Sequence, residues 1–327
     1  MPDRHTASEN DESPEQDASA QAQALSARFD RLEAAMVARM EELKSDARSM
    51  REVLALLLDD DPGTRRRLYE LREHPSYEEA FSSVDPLVSI VIPTWNRPEL
   101  LVDRAIRSAL GQTHSNIEVI VVGDASPPDT EAAVAAVRDP RVSFHNLTIR
   151  GPYAEDKARA WLASGTPGLN AGVRLARGRW IAPLGDDDEF VPAHVEQLLA
   201  AARTRRLEFV YGRIHMIRPD GVSLLLGEFP PRMSQIGLQA ALYHSGLRFM
   251  ELELGHATMG VPNDWGLVHR MMRVGVRMGM VDEVTVNYWA SERAPGLRHA
   301  EASPGADDSD LNKQLGSRLR HTVERSS

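Results

Sequence analysis

The chain has 327 residues and carries 38 lysines and arginines against 48 aspartates and glutamates, a net charge of −10. It contains no cysteine, which excludes disulfides, thiolate metal sites and cysteine nucleophiles, and favours a reducing, cytoplasmic compartment. The acidic balance argues against a duplex-DNA binder, which needs a basic face, so we expect no nucleic-acid partner. No stretch reaches the roughly 20 apolar residues that cross a bilayer, so we expect no transmembrane segment.

Both ends of the chain are polar. Residues 1–24 contain six acidic side chains and one arginine, half of the net charge, and almost no large apolar residue. Such a segment cannot bury enough surface to offset its ordering entropy, so we expect a disordered acidic tail. Residues 298–327 are similar in composition and are expected to form a polar C-terminal tail, with a short helix near residues 311–319.

Residues 25–58 have the composition and spacing of a long helix. They contain no glycine or proline, and apolar residues recur every three or four positions, with a four-residue stutter between Met36 and Met40. This spacing predicts a coiled coil that forms a homodimer, although an amphipathic helix lying on its own domain would show the same pattern. The seam positions are Leu25, Phe29, Leu32, Met36, Met40, Leu43, Ala47, Met50, Leu54 and Leu57. Residues 59–85 are expected to form a linker with a short helix.

Residues 86–297 alternate between strand and helix patterns. Buried strands are predicted at Leu87–Ile92, Ile117–Val122, Arg141–Asn146 and Trp180–Leu184, and helices at Arg97–Leu110, Glu131–Val137, Leu169–Ala176 and His194–Ala202. Repeated βα units with continuous apolar strands predict an α/β fold with a mostly parallel central sheet covered on both faces. Ligands of such folds bind at the carboxyl ends of the strands, so the residues that follow each strand are the candidates for a site.

The first two strand ends carry polar residues with two interpretations each. The sequence Pro93-Thr94-Trp95-Asn96-Arg97-Pro98 lacks the Gly-x-Gly-x-x-Gly turn of dinucleotide-binding domains, and its Thr or Asn could simply cap the next helix. After the second strand, Asp124 could belong to an ordinary turn. A carboxylate at this place could also accept the imide N–H of a uracil-like base.

The third strand ends in three adjacent acids, Asp186, Asp187 and Asp188, followed by Glu189. Adjacent carboxylates repel one another unless a cation neutralises them, and hard oxygen ligands suit Mg²⁺ or Mn²⁺ shared with a diphosphate. A solvated turn that caps the next helix is the alternative interpretation of the same residues.

Together these strand ends resemble the family 2 glycosyltransferases, inverting enzymes with the A-type (GT-A) nucleotide-sugar fold. PLVSIVIPTWNRPELLVDRAIRSALGQTHSNIEVIVVGDASPPDT resembles the first βαβ unit of that family, and GLNAGVRLARGRWIAPLGDDDEFVP resembles its Asn-containing helix, short strand and acidic metal-binding motif. NDWGLVHR, beginning at Asn263, resembles the start of the helix that bears the catalytic base. The resemblance covers residues 86–290 and implies a GT-A domain preceded by a helical extension.

The resemblance also implies a role for each matched residue. Asp124 would read the nucleotide base, Asn170 would form part of the donor-site floor, and Asp186 would lie beside the ribose and diphosphate. Asp187 would be the principal ligand of Mn²⁺ or Mg²⁺, with Asp188 behind it. Asp264 would deprotonate the acceptor. The nucleotide pocket would be lined by Pro93, Thr94, Asn96 and Arg97.

Two residues depart from the family pattern. Gly185 stands where the family often has the first acid of its metal-binding motif, which either leaves the ribose contact to Asp186 or leaves that contact weaker. Asn263 replaces the usual Glu beside the base and puts in doubt any role of that Glu in orienting the acceptor. These departures leave room for an alternative, a non-catalytic nucleotide-sugar-binding scaffold that acts through its coiled coil.

The region between the acidic motif and Asp264 is expected to shape the acceptor site. The turn Pro219–Gly221 predicts a hairpin, and residues 235–243 are predicted to be helical. Trp265 and His256 are candidates for a sugar or acceptor contact. His256 is also a candidate third metal ligand, although a lone histidine is more often structural.

The expected activity is inverting transfer from a nucleoside-diphosphate sugar, with a UDP-sugar favoured because the position of Asp124 resembles uracil-reading examples. The acceptor is unspecified, and saccharides, lipid carriers, peptides and small metabolites all stay open. A cytoplasmic protein, alone or peripheral to a membrane, fits these expectations.

Overall fold

The computed structural model describes residues 14–59 and 61–290, and it divides the chain after Leu58 into two compact units. In the first unit, helix α1 spans Pro14–Leu58. It therefore begins within the segment 1–24 that was expected to be disordered. The stretch after Pro14 is rich in Ala and Gln, which favour helix even where few large apolar side chains are present. Residues 1–13 and the predicted C-terminal tail 298–327 lie outside the described residues.

Residues 59–85, expected to be a linker with one short helix, contain two helices of the second unit. They are α2 (Asp61–Glu73) and α3 (Pro75–Ser82). Leu68 of α2 and Tyr77 and Phe81 of α3 are buried in the core of that unit. The two helices thus act as part of the domain, because their apolar side chains recur on one face.

The first half of the central sheet is built from parallel strands with helical connections. Its strands are β1 (Val88–Thr94), β2 (Ile117–Gly123), β3 (Val142–Asn146) and β4 (Trp180–Pro183). The connecting helices are α4 (Pro98–Leu100), which continues through a π-helical stretch at Leu101–Ile106 into α5 (Arg107–Leu110), α6 (Pro128–Ala136), α7 (Lys157–Leu162) and α8 (Thr166–Leu175). All three pairings in this half are parallel.

The second half of the sheet is mixed. Its elements are β5 (Glu189–Phe190), α9 (His194–Arg205), β6 (Phe209–Ile217), β7 (Ser223–Leu226), β8 (Ala241–His244), α10 (Leu254–Thr258), α11 (Asn263–Val274) and β9 (Met278–Trp289), with 3₁₀ turns at Leu238–Ala240 and Ser245–Phe249. The strand order is β3-β2-β1-β4-β8-β6-β9-β5, with β7 paired to β6. Strand β8 is antiparallel to both of its neighbours.

Two expectations for this half have different outcomes. The hairpin at Pro219–Gly221 is present and joins β6 to β7. The helix expected at residues 235–243 is absent, and this segment forms a 3₁₀ turn followed by β8. The reason is tertiary: all four residues of β8 are buried between β4 and β6, so pairing on both edges outweighs local helical preference.

The sheet is covered by apolar side chains on both faces. Ile90 and Ile92 of β1 belong to one buried cluster, and Val91, between them, belongs to the cluster on the opposite face. Successive side chains of a strand point to opposite faces, so a continuous apolar run is what a doubly covered sheet requires.

A buried carboxylate fastens the two N-terminal helices of this unit to the sheet. Glu208, which is fully buried, accepts hydrogen bonds from Arg72 Nε at 2.7 Å and Nη2 at 2.8 Å, from Tyr77 Oη at 2.7 Å and from the Arg277 backbone N–H at 2.8 Å. Burial opposes ionisation, but the hydrogen bonds and charge of Arg72 hold the pKa of Glu208 below its ordinary value.

Arg72→Met should destabilise the domain strongly, because it removes the cation that donates two hydrogen bonds to the buried carboxylate of Glu208 and leaves Arg277, 3.5 Å away, as its positive neighbour. We expect a loss of about 3–5 kcal/mol in the free energy of unfolding, measured by urea denaturation. Arg107→Met is the matched control and should cost at most about 1 kcal/mol, since among the described residues Arg107 pairs with Asp103 on the exposed surface. Similar small losses in both variants would contradict the anchoring role of Arg72.

Candidate active site

Thr94 joins the carboxyl ends of three parallel strands. It is the last residue of β1, and its carbonyl accepts hydrogen bonds from Asp124 N at 2.9 Å and Ser126 Oγ at 3.2 Å, both after β2. Its hydroxyl donates to Asp186 Oδ2 at 2.8 Å, after β4. Thr94 is buried, so it positions the two acids and does not itself face solvent.

The other residues expected to line the nucleotide pocket flank Thr94. Pro93 packs against the start of α8, where a Cβ added at Gly168 would lie 3.0 Å from the proline ring. Asn96 has a left-handed backbone with φ of 53°, and it forms the turn that leads into Arg97. The Arg97 guanidinium reaches the loop of Asp186, Asp187 and Asp188, called the acidic loop below. Its Nη1 lies 2.5 Å from Asp187 Oδ2 and 3.3 Å from Asp186 Oδ1.

The carboxylate of Asp124 is held by a loop that the sequence did not single out. Gly151 N–H donates to Asp124 Oδ1 at 2.9 Å, and Tyr153 Oη donates to Oδ2 at 2.6 Å. Beside this contact, the guanidinium of Arg150 lies 3.4 Å from the centre of the Trp95 ring. Tyr153 and Gly151 follow β3 without any periodic pattern, so only the coordinates reveal them.

The acidic loop concentrates negative charge in a buried place. Burial and the neighbouring charge of Asp187 raise the pKa of Asp186 to about 6. Burial and the charges of Asp187 and Asp186 raise the pKa of Asp188 well above its ordinary value, and its Oδ1 has no hydrogen-bond partner. Arg104 Nη1 donates to the carbonyl of Asp187 at 3.1 Å and holds the loop. The charge of this loop is therefore only partly neutralised by arginines.

Gly185 allows Asp188 to turn inward. A Cβ at position 185 would lie 2.6 Å from Asp188 Oδ2, closer than such contacts occur in proteins. The glycine that departs from the family pattern thus makes room for the buried carboxylate.

The carboxylates fit a divalent cation that is shared with a ligand. An unpartnered, buried carboxylate oxygen on Asp188 and the repulsion among adjacent acids are both relieved by a cation. Within residues 14–59 and 61–290, no three His, Asp or Glu side chains converge as a complete metal cage. Such a cation would therefore take part of its coordination from a diphosphate.

Asp264 lies in the first turn of α11, where burial raises the pKa of its carboxyl to about 6. Its Oδ1 accepts the backbone N–H of Trp265 at 2.7 Å. The preceding Asn263 donates to Ser164 O at 3.0 Å and Thr166 Oγ1 at 2.7 Å, which ties the start of α11 to the start of α8.

The charges of Asp264 and of the acidic loop both act on Tyr288, which lies near the end of β9. Burial raises the pKa of this phenol, and the charges of Asp188, Asp187 and Asp264 raise it further. The three carboxylates therefore lie within electrostatic reach of one side chain. Sequence reasoning missed Tyr288, because it stands in a strand with no motif around it.

Three further candidates have structural contacts. Asn170 bonds the backbone of Leu252 twice, through Nδ2 to the carbonyl at 2.9 Å and through Oδ1 to the N–H at 3.0 Å. The ring of Trp265 stacks on His269 at 5.6 Å. His256 is buried with Nε2 3.4 Å from Asp59 Oδ1, and a Cβ at Gly266 would lie 2.4 Å from its Nδ1.

A sequence profile described as glycosyl transferase family 2 matches residues 89–253, about half of the chain. The chain belongs to this family, which confirms the resemblance, and its α/β domain has the GT-A type of fold. The matched region contains the ends of β1, β2 and β4, where Thr94, Asp124 and Asp186 meet.

Relatives in several bacteria are similar over part of their length. The chain is 37% identical over 140 residues to the succinoglycan biosynthesis protein ExoO of Rhizobium meliloti, covering 42% of this chain and 36% of that protein. It is 37% identical over 128 residues to the putative colanic acid biosynthesis glycosyl transferase WcaA of Escherichia coli, covering 36% and 41%.

A third relative is named for its donor and acceptor. Over 148 residues the chain is 29% identical to the Escherichia coli UDP-Glc:alpha-D-GlcNAc-diphosphoundecaprenol beta-1,3-glucosyltransferase WfaP, covering 45% of this chain and 53% of that protein. The chain thus spans about half or less of the length of each of these relatives. S. aureus TarS 1–349 with UDP has a TM-score of 0.49 and 14% identity, over 62% of this chain and 60% of that one. Across the residues that the structure describes, no helix has the length and apolar character needed to span a bilayer.

Asp188→Asn should stabilise the free protein, because it relieves the burial and the repulsion from Asp187 and Asp186 that act on a carboxyl whose Oδ1 has no hydrogen-bond partner. We expect the melting temperature without metal to rise by about 2–4 °C for each kcal/mol gained. The same change should reduce any stabilisation by Mn²⁺ with UDP. Asp103→Asn is the control, since Asp103 is exposed and should change neither quantity. A lower melting temperature for Asp188→Asn would show that the carboxylate is well compensated.

Proposed function

We propose that the protein is a metal-dependent inverting glycosyltransferase that moves a sugar from a UDP-sugar to an acceptor hydroxyl. One observation carries the proposal: Thr94 brings together Asp124 after β2 and Asp186 after β4, and the charges of Asp187, Asp188 and the separate Asp264 on α11 all act on Tyr288. A donor site needs charge that a cation can neutralise, and an acceptor needs a proton-accepting group.

The donor would bind along the joined strand ends. Asp124 would accept the imide N–H of uracil after Tyr153 and Gly151 give way or share its oxygens. Asp186 would lie beside the ribose and diphosphate, and Asp187 and Asp188 would hold Mn²⁺ or Mg²⁺. The relative WfaP is named for a UDP-Glc donor, which supports a uridine donor for this chain as well.

The bound cation would supply neutralisation of the charge that grows on the leaving diphosphate. The acceptor oxygen would attack the anomeric carbon while its proton passes to a carboxylate oxygen of Asp264. The bond between the anomeric carbon and the diphosphate oxygen would break in the same displacement, and UDP would leave with the electron pair. The product then has the inverted anomeric configuration, with no covalent enzyme intermediate.

The acceptor would be a hydroxyl of a saccharide. ExoO and WcaA are named for polysaccharide biosynthesis, and WfaP is named for a diphosphoundecaprenol-linked acceptor. If the acceptor is lipid-linked in the same way, this protein would work at a membrane surface as a peripheral protein.

Nucleotide and metal should stabilise the folded protein together, because a ligand bound only to the native state raises its stability by mass action. We expect UDP with Mn²⁺ to raise the melting temperature more than GDP or dTDP with Mn²⁺, and each nucleotide to have less effect with EDTA. Released UDP from a panel of UDP-sugars would then identify the donor. No shift with any nucleotide and metal would overturn the proposed function, whereas a shift without release of UDP from any UDP-sugar would favour the non-catalytic scaffold.

Asp264→Asn should abolish sugar transfer while leaving UDP affinity within about twofold, because an amide cannot take the acceptor proton. In the unmodified protein, kcat should fall about tenfold per pH unit below about 6, since protonated Asp264 can no longer act as a base. Asp282→Asn, at an exposed position, is the control. Equal loss of UDP binding and transfer would assign Asp264 to the donor site.

We propose as well that α1 joins two copies of the chain through its apolar seam. Eight seam side chains are between 45% and 65% exposed, namely Leu25, Phe29, Leu32, Met36, Met40, Leu43, Met50 and Leu54. A second identical helix would bury this row, as in a two-stranded coiled coil.

The double change Leu32→Glu and Met36→Glu should convert a dimer to a monomer in light scattering, because it places charges in the seam. Ala34→Glu with Ala38→Glu has the same charge and spacing on another face of α1, so the dimer should persist. An unmodified chain that is already monomeric, or equal masses in both variants, would refute the seam as the interface.

A further inference from the structure

Arg97 occupies the carboxylates that the proposed function assigns to a cation. Its Nη1 lies 2.5 Å from Asp187 Oδ2 and 3.3 Å from Asp186 Oδ1, so one guanidinium nitrogen bridges two acids of the loop. The Arg97 side chain is 47% exposed, which leaves it free to turn without unpacking the core.

The guanidinium and a divalent cation compete for the same place. Mn²⁺ or Mg²⁺ held by Asp187 would use the carboxylate oxygen that Arg97 Nη1 now contacts at 2.5 Å. Two positive groups on one carboxylate oxygen repel each other, so a metal arriving alone has to displace Arg97. The affinity of the free protein for the metal alone is lowered by that displacement.

A diphosphate gives Arg97 a second partner. The planar fork of a guanidinium binds phosphate oxygens in the same bidentate way as a carboxylate. Arg97 sits at the end of β1, where a nucleotide diphosphate would lie, and it starts the helix α4. Arg104 continues to hold the carbonyl of Asp187 at 3.1 Å, so the loop keeps its position when Arg97 leaves.

We propose that Arg97 is a positioning residue that couples metal and nucleotide binding, by passing from Asp186 and Asp187 to the donor diphosphate. In the free protein it neutralises the acidic loop. With the donor bound, it neutralises phosphate and frees Asp187 for the cation. The inference rests on the proposed donor site and adds a linkage: metal and UDP each raise the affinity for the other by the same factor.

The test measures Mn²⁺ affinity with and without UDP, from the electron paramagnetic resonance signal of free Mn²⁺, in the full chain. For the unmodified protein we expect UDP to tighten Mn²⁺ binding by about 5- to 150-fold, the usual range of such coupling. In Arg97→Met, Mn²⁺ alone should bind more tightly, UDP alone should bind more weakly, and the coupling factor should fall toward one. Arg97→Lys keeps the charge and should restore part of the coupling.

Arg107→Met is the matched control, because Arg107 lies farther along the same helical stretch and, in the part of the chain that the structure describes, pairs with exposed Asp103. Its Mn²⁺ and UDP affinities should equal those of the unmodified protein. An unchanged Mn²⁺ affinity in Arg97→Met would overturn the inference, as would an unchanged coupling factor. Sugar transfer that persists in EDTA and needs Arg97 would also overturn it, since Arg97 would then replace the metal permanently.

The two proposals fail in different ways. If the unmodified protein binds no nucleotide with any metal, the proposed function is lost. The comparison of Mn²⁺ alone between Arg97→Met and the unmodified protein still decides whether Arg97 occupies the metal's place. If UDP and Mn²⁺ bind and transfer occurs, but Arg97→Met leaves the coupling intact, only the inference about Arg97 is lost.

Discussion

Three strand ends converge on one threonine. The carbonyl of Thr94 accepts a hydrogen bond from the backbone N–H of Asp124 in the loop after β2, and its hydroxyl donates one to the carboxylate of Asp186 after β4. Because β1 lies between β2 and β4 in the sheet, only a residue at its end can reach both loops. Thr94 therefore fixes the backbone at Asp124 and the carboxylate of Asp186 relative to each other, while Gly151 and Tyr153 hold the carboxylate of Asp124.

Burial raises the pKa of both Asp186 and Asp264, but the chemical consequences differ. Asp186 faces Arg97, and neighbouring Asp187 adds to the effect of burial on the pKa of Asp186. Burial raises the pKa of Asp264, and backbone hydrogen bonds lower it by less. Within the described part of the chain, no cation contributes. The negative charge of Asp186 is thus balanced by Arg97, a positive partner that a bound cation could replace. Asp264 can relieve its desolvation most directly by taking a proton, which suits a general base.

The sequence predicted the positions that follow buried strands, because apolar runs mark the strands and parallel strands share one ligand-binding edge. Asp124 and Asp186 were found in this way. Their partners were not, since Tyr153 reaches Asp124 from an irregular loop. The segment that forms β8 was predicted to be helical, because local sequence does not reveal that it pairs with β4 and β6. Resemblance to a family supplied the role of Asp264, which periodicity alone does not distinguish from a helix cap.

The two departures from the family pattern both have structural explanations in this chain. Gly185 leaves the space into which Asp188 turns, so a missing acid at one position accompanies a buried acid three residues later. Asn263 uses its amide to join α11 to α8, a contact that a carboxylate could not donate. Neither change removes Asp187 or Asp264. A scaffold that only binds a nucleotide sugar would relieve the buried Asp188 through the donor's cation but would carry the desolvated Asp264 without relief, whereas catalysis relieves Asp264 through the acceptor proton.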